Sequence, residues 1–189
     1  MVSDEILIIE FQRGSRAAFE ELYARYFGPL YGFFRRRLEG PQRAEDLAQE
    51  TFLAVIRGAS RYEPRALFRT YLYAIALNLL AVERRQRSRD PAPMELAAEP
   101  FADHLTDRAL WVRQAIEKLD PSEREILMLR EYEQLSYAEI ADLFRLPLNT
   151  VRSRLFRARI ALKHHLETGG RLQKVAPLGE PTRAIEDEA

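Results

Sequence analysis

Cysteine is absent from the 189 residues, which removes disulfides, thiolate metal sites and a cysteine nucleophile together and fits a reducing compartment. Histidine is scarce too: His104, His164 and His165 are the whole supply. No glycine-rich phosphate loop and no cluster of metal-ligating side chains accompanies them. The parts of a familiar active site are missing, so neither enzyme activity, metal nor cofactor is expected. Net charge is also missing. Lys+Arg 29 balances Asp+Glu 29, so any attraction to polyanions must come from local patches rather than from the chain as a whole. Long hydrophobic runs are wanting as well: the longest, Tyr71 to Val82, is broken by Asn78 and is too short to span a bilayer. Asp4 and Glu5 stand where a secretory signal would carry cations. A cytoplasmic location is expected.

What the chain does contain is enough apolar material to bury a core, 47% of its residues against 31% charged. Glycine and proline punctuate it at Gly28-Pro29, Gly40-Pro41, Pro64, Pro91 to Pro100, Pro121 and Pro147, and the intervals carry helical periodicity. An all-α fold follows. The stretch SRDPAPMELAAEPFADH, residues 88–104, holds three prolines and no amphipathic stripe, which marks it as a flexible linker. It divides a first helical domain, residues 1–87, from a second, residues 105–167. The tail, residues 168–189, is rich in Gly, Pro and charge and is expected to be disordered.

In the second domain, Asp120-Pro121-Ser122-Glu123 supplies a cap acceptor, a proline at the first helical position and a Glu placed to reach back. Ser136-Tyr137-Ala138-Glu139 repeats the capping pattern and opens a short helix with Ile140, Ala141, Leu143 and Phe144 inward. After Arg145-Leu146-Pro147-Leu148, Asn149 or Thr150 is expected to cap a longer helix. Short helix, tight turn and long helix form a helix-turn-helix pattern. Residues 145–163, RLPLNTVRSRLFRARIALK, carry six cations and no acid. On a helical wheel Val151, Leu155, Ala158, Leu162 and Leu166 share one stripe, and the opposite arc holds Arg152, Ser153, Phe156, Arg157, Ile160 and His164. Arginine forks suit guanine and phosphate, and apolar groups suit thymine methyls, so the arc favours duplex DNA over a merely solvated basic face.

In the first domain, RAEDLAQETFLAVIR puts Leu47, Ala48, Phe52, Val55 and Ile56 on an inner arc and leaves Asp46, Gln49 and Glu50 around Leu53 on the outer one. On spacing alone, Glu45 and Asp46 are explained as acids favoured near a helix N-terminus. The next helix, from about Leu67 to Arg87, shows a strip of Thr70, Tyr71, Ala74, Asn78, Ala81 and Arg85, with Arg61, Arg65 and Arg69 before it. Such a strip suits unpaired nucleic acid, with Tyr to stack and Asn to hydrogen-bond. A buried Asn78 satisfied inside the bundle accounts for the same pattern equally well.

Taken together, AFEELYARYFGPLYGFFRRRL, RAEDLAQETFLAV, FRTYLYAIALNLL and LDPSEREILMLREYEQLSYAEIADLFRLPLNTVRSRLFRAR, in that order and spacing, resemble an extracytoplasmic-function (ECF) sigma factor of the bacterial sigma-70 family. The resemblance implies that Asp46, Gln49, Glu50 and Leu53 face the RNA polymerase core. It implies that Arg61, Arg65, Phe68, Arg69, Tyr71, Asn78 and Arg85 engage the opened minus-10 element. It implies that Arg130, Tyr137, Asn149, Thr150, Arg152, Ser153, Phe156 and Arg157 grip the duplex minus-35 element. RNA polymerase core, promoter DNA and an anti-sigma protein are the implied partners. A stand-alone helix-turn-helix regulator that recruits no polymerase is the competing reading, and the acidic DLAQETF face separates the two. Where the chain departs from the family, Arg145 takes a turn position usually held by Gly, so a left-handed backbone there would be strained or the turn built differently. Tyr71 stands where Trp is usual.

Overall fold

The computed structural model describes residues 2–65, 67–89 and 107–173. The described residues form α-helices and one short 3-10 turn, without strands. In the first domain α1 spans Asp4–Gln12, α2 Arg16–Arg35, α3 Pro41–Gly58 and α4 Phe68–Arg89, with the 3-10 turn at Ala59–Arg61. The second contains α5, Asp107–Glu117, α6, Pro121–Glu131, α7, Tyr137–Phe144, and α8, Leu148–Gln173. Most of the expected linker, residues 90–104, lies outside the described residues, as do 105 and 106 of the expected second domain, while Ser88 and Arg89 still belong to α4. The tail expected from Thr168 begins inside a helix, because α8 continues to Gln173. Residues 174–189 lie outside the described part.

Local chemistry sets most of the helix starts. Ser3 and Ser15 cap α1 and α2 by accepting from the N–H groups of Ile6 and Ala18. Gly40, with φ at 82°, turns the chain into Pro41, the first residue of α3. The punctuation expected at Gly28-Pro29 does not end a helix: α2 runs through Pro29. Leu22 on one side of it and Leu30, Phe33 and Phe34 on the other are all fully buried in the same core, and that burial outweighs the hydrogen bond a proline removes. Asp120 caps α6, accepting from the N–H groups of Ser122 and Glu123. Glu123 does not complete the expected reciprocal bond, because its carboxylate receives Arg157 of α8 instead, at 2.6 Å. The box at Ser136 and Glu139 does close in both directions. Its neighbour α8 begins at Leu148, ahead of the expected caps Asn149 and Thr150, which lie inside the helix, because the Pro147 carbonyl already accepts from Thr150 and Val151.

The buried apolar side chains form one continuous cluster to which both domains contribute. Leu7, Ile8, Leu47, Phe52, Phe68, Leu72 and Leu80 join the α2 residues in the first. In the second, Leu119, Ile126, Leu129, Leu135 and Ile140 receive the stripe Val151, Leu155 and Ala158 from α8. The domains meet where α4 packs against α7. Charge is sorted across this junction, with cations on the first domain and acids on the second. Arg36 pairs with Glu133 at 2.9 Å, Arg37 with Glu125 at 2.8 Å and Glu133 at 3.3 Å, and Arg69 with Glu139 at 2.8 Å. The Arg37 and Glu133 side chains are each only 2% exposed. Tyr73 adds a hydroxyl donor to Glu133 at 3.4 Å, and the Arg36 guanidinium lies over the Tyr132 ring at 4.7 Å.

Candidate functional surfaces

The outer face of α3 is built by the amphipathic register of DLAQETFLAVIR. Ala44, Leu47, Ala48, Thr51, Phe52 and Val55 turn into the bundle. Gln49 and Leu53 are exposed, with Asp46 and Glu50 half-buried beside them. Ile56, expected on the inner arc, is 42% exposed and sits one turn from Leu53, itself 52% exposed. Thr51 takes the inner place instead, beside the expected Val55, so the outer face carries an apolar pair rather than a single leucine. Arg43 bridges this face to α4: it reaches Glu50 at 3.2 Å and Asp46 at 3.8 Å, and grips Glu83 at 2.7 Å. The Arg43 hydrogen bond, opposed by burial and reinforced by Arg87, holds the Glu83 carboxyl below its ordinary range.

The strip on α4 is graded from buried to open. Thr70 is in the core, Tyr71 and Ala74 are half-buried, and Asn78, Ala81 and Arg85 are exposed. Exposure of Asn78 removes the reading in which it is satisfied inside the bundle. Phe68 is 0% exposed, packed edge-on against Tyr26 and Tyr62, so it is a core residue with no ring face left to stack on a base. This corrects its expected place in the minus-10 surface. Tyr71 leans on Tyr62 at 5.2 Å, and burial, partly countered by Arg61, raises its hydroxyl pKa. A Cβ at Gly58 would lie 2.5 Å from the Tyr71 hydroxyl, so this glycine makes room for the ring. Arg61 and Arg65 are exposed, and Arg65 pairs with Glu63 at 2.7 Å. Arg69 is the exception among these cations, since the carboxylate of Glu139 holds it from the second domain.

On α8 the arc Arg152, Ser153, Phe156, Arg157, Ile160 and His164 is exposed throughout, while Val151, Leu155 and Ala158 are buried. Phe156 is 66% and Ile160 54% exposed. Arg152 donates to the Asn149 side chain at 3.3 Å and Ser153 to the Thr150 carbonyl at 3.0 Å. Arg130 and Tyr137 have structural work: Arg130 donates to the Leu135 carbonyl at 3.0 Å and lies over the Tyr137 ring at 5.4 Å. The Tyr137 hydroxyl accepts from Arg159 at 3.2 Å. Arg145 adopts the left-handed conformation, φ 52° and ψ 45°, in the turn between α7 and α8. Nothing in the spacing of the sequence signalled the roles of Glu125 and Glu133, or the second partner of Glu139, 70 residues from Arg69.

Two helical bundles, one ending in a helix-turn-helix that turns an arginine-rich arc to solvent, define a two-domain DNA-binding protein. Comparison with known families narrows this class. The model of sigma-70 region 2 matches residues 22–90 and that of sigma-70 region 4 matches residues 109–162. The RNA polymerase sigma-H factor of Pseudomonas aeruginosa is 34% identical over 87% of this chain and 94% of its own. The ECF RNA polymerase sigma-E factor of Escherichia coli is 31% identical over 88% of this chain and 95% of its own. Among solved structures, CnrH in complex with the cytosolic domain of CnrY superposes with a TM-score of 0.67 at 25% identity, covering 87% of this chain and 97% of that one. The sigma factor RpoE of Bartonella quintana, in complex with the anti-sigma factor NepR, shares the fold with a TM-score of 0.64 at 23% identity, over 79% of this chain and 96% of that one. The chain belongs to the ECF sigma factors of the sigma-70 family. Members of this family direct RNA polymerase to promoters. No described helix is long and apolar enough to cross a membrane.

Proposed function

We propose that the first domain docks on core polymerase through Asp46, Gln49, Glu50 and Leu53, with Ile56 added. The observation that carries this is the exposed apolar pair Leu53 and Ile56, which the bundle leaves unburied beside the half-buried acids Asp46 and Glu50. Arg61, Arg65, Arg69, Tyr71, Asn78 and Arg85 receive unpaired bases and backbone of the minus-10 element, with Asn78 as the exposed hydrogen-bonding group. The second domain, residues 105–167, seats α8 in the major groove of the minus-35 element. Arg152, Ser153, Phe156 and Arg157 meet base edges and phosphates, Asn149 and Thr150 lie at the helix start, and Arg130 and Tyr137 support the turn. Binding energy drives selection and strand opening, and polymerase supplies all the catalysis. The protein works in the cytoplasm, where core polymerase is. An anti-sigma protein is its expected regulator, by analogy with the complex of RpoE and the anti-sigma factor NepR.

The test is run-off transcription with core polymerase on a promoter library, repeated with Asp46→Arg and Glu50→Arg. The expected outcome is transcription from a defined promoter set and loss of co-purification with core in both variants. A chain that binds promoter duplex unaided and ignores both reversals would be the stand-alone regulator instead.

A further inference from the structure

The segment from the 3-10 turn to the start of α4, which carries Arg61 and Arg65, is fastened at both ends by α1. We infer that Gln12 and Glu5 are positioning residues that hold this loop ready for unpaired bases, an inference that rests on the minus-10 reading above. The Gln12 side-chain nitrogen donates to the Ala59 carbonyl at 2.7 Å and to the Tyr62 carbonyl at 2.8 Å. Both of its hydrogens are thus spent on the two carbonyls that bracket Ser60 and Arg61. At the other end, a Glu5 carboxylate oxygen accepts from the backbone N–H of Phe68 at 3.1 Å, the first residue of α4. An anion there also meets the positive end of the helix dipole. Between the two staples Tyr62 is the only described loop residue that is buried, at 7% exposure, while Glu63, Pro64, Arg65 and Leu67 are exposed. Burial, with Glu5 and Asp4 nearby, pushes the Tyr62 hydroxyl up to about 12.

The base of these staples is itself fixed. Leu7 and Ile8 of α1 lie in the core, and Asp4 accepts from Arg25 at 2.7 Å and from the Tyr26 hydroxyl. This helix lies before residue 22, where the match to the region 2 model begins. A loop held in its binding shape loses less conformational freedom when it closes on a strand, so the staples act on affinity without touching the nucleic acid.

Gln12→Met tests this, because methionine keeps the length and helix preference of glutamine and removes the amide whose nitrogen makes both bonds. The probe is a fluorescent single strand carrying the non-template minus-10 sequence of a promoter taken from the run-off selection, bound to the reconstituted holoenzyme. About fivefold weaker binding is expected, as from the loss of about two modest hydrogen bonds shared between order and binding. A duplex minus-35 fragment should bind as before, and amide exchange at residues 59–67 should accelerate. Glu5→Ala should move the same readouts in the same direction. Unchanged exchange and unchanged single-strand binding in Gln12→Met, while Asn78→Ala loses binding, would overturn the inference. So would equal losses on both DNA probes, which mean general destabilisation. If the wild-type holoenzyme takes no single strand, the minus-10 reading falls first and takes the inference with it.

Discussion

Arg145 places a long charged side chain where a helix-turn-helix ordinarily wants none. Its φ of 52° is enforced by hydrogen bonds on either side: its own N–H reaches the Asp142 carbonyl at 3.2 Å, and that of Leu146 reaches the Ala141 carbonyl at 2.9 Å. Of the two outcomes open from sequence, strain or a differently built turn, the chain takes the strained one. A side chain in this region costs on the order of 1 kcal/mol, partly offset in Gly by greater freedom of the unfolded chain. Arg145→Gly is therefore expected to stabilise the second domain by about 0.5 kcal/mol, raising its melting temperature by ~2–4 °C, read by circular dichroism. Gly58 gives the opposite case. Gly58→Ala should destabilise the first domain by about 1–2 kcal/mol, since the half-buried Tyr71 side chain must shift its hydroxyl to admit the new methyl. Tyr71→Phe, by removing the oxygen in the way, should recover much of that loss, a coupling measurable in a double-mutant cycle. Residues such as these were only half legible. Arg145 stood out because a family pattern exposed it, whereas the need for Gly58 depends on where a ring 13 positions away comes to rest.

At the level of elements, the sequence was most informative where one face is clearly buried. The stripe and arc of α8 were legible because Val151, Leu155 and Ala158 recur at the helical period without a competing apolar face. Two elements obscured that logic. In α4 apolar residues cover most of the circumference, so Phe68 and Asn78 could each be placed inside or out, and only packing against Tyr26 and Tyr62 settles the first. In α3 the inner arc had one apolar residue to spare, and Thr51 took the place inside by bonding the Leu47 carbonyl at 2.7 Å, leaving Ile56 outside. For α8 the arc leads to a quantitative expectation. Arg157 has a side chain 58% exposed and an ion pair with Glu123, and such a pair contributes little in solvent. Phosphate can displace it. Arg157→Ala should weaken binding to the minus-35 duplex and reduce the salt slope of that binding by about 0.9. A titration across salt concentrations measures both, and an unchanged slope would remove Arg157 from the DNA surface.

Over the whole molecule the domain junction adds a set of part-buried ion pairs to an apolar core that runs through both domains, and the ion pairs make it conditional. Glu139 serves two masters: its carboxylate closes the capping box on the Ser136 N–H at 2.8 Å and clamps Arg69 across the junction. Burial on its own would raise the Glu139 pKa, but the bonds from Ser136 and Arg69 outweigh it and hold the group below the ordinary glutamate range. A carboxyl depressed on folding stabilises the structure above its unfolded value, near 4.3 for Glu, and that contribution disappears as pH falls through the lower folded value. The Glu139–Arg69 bridge should therefore hold at neutral pH and weaken in acid, once the pH falls below the ordinary glutamate range and protonation loosens the grip of Glu139 on Arg69. Glu133→Lys tests the same junction at neutral pH, since it sets a cation beside Arg36 and Arg37 at a site where the native side chain is 2% exposed. Small-angle scattering should then report a larger radius of gyration with unchanged helix content, the two bundles parting while each stays folded. Parting also frees Arg69, so the same variant should bind a single-stranded minus-10 probe at least as well as the wild type. A radius of gyration that does not move would mean that the ion pairs decorate the junction without holding it.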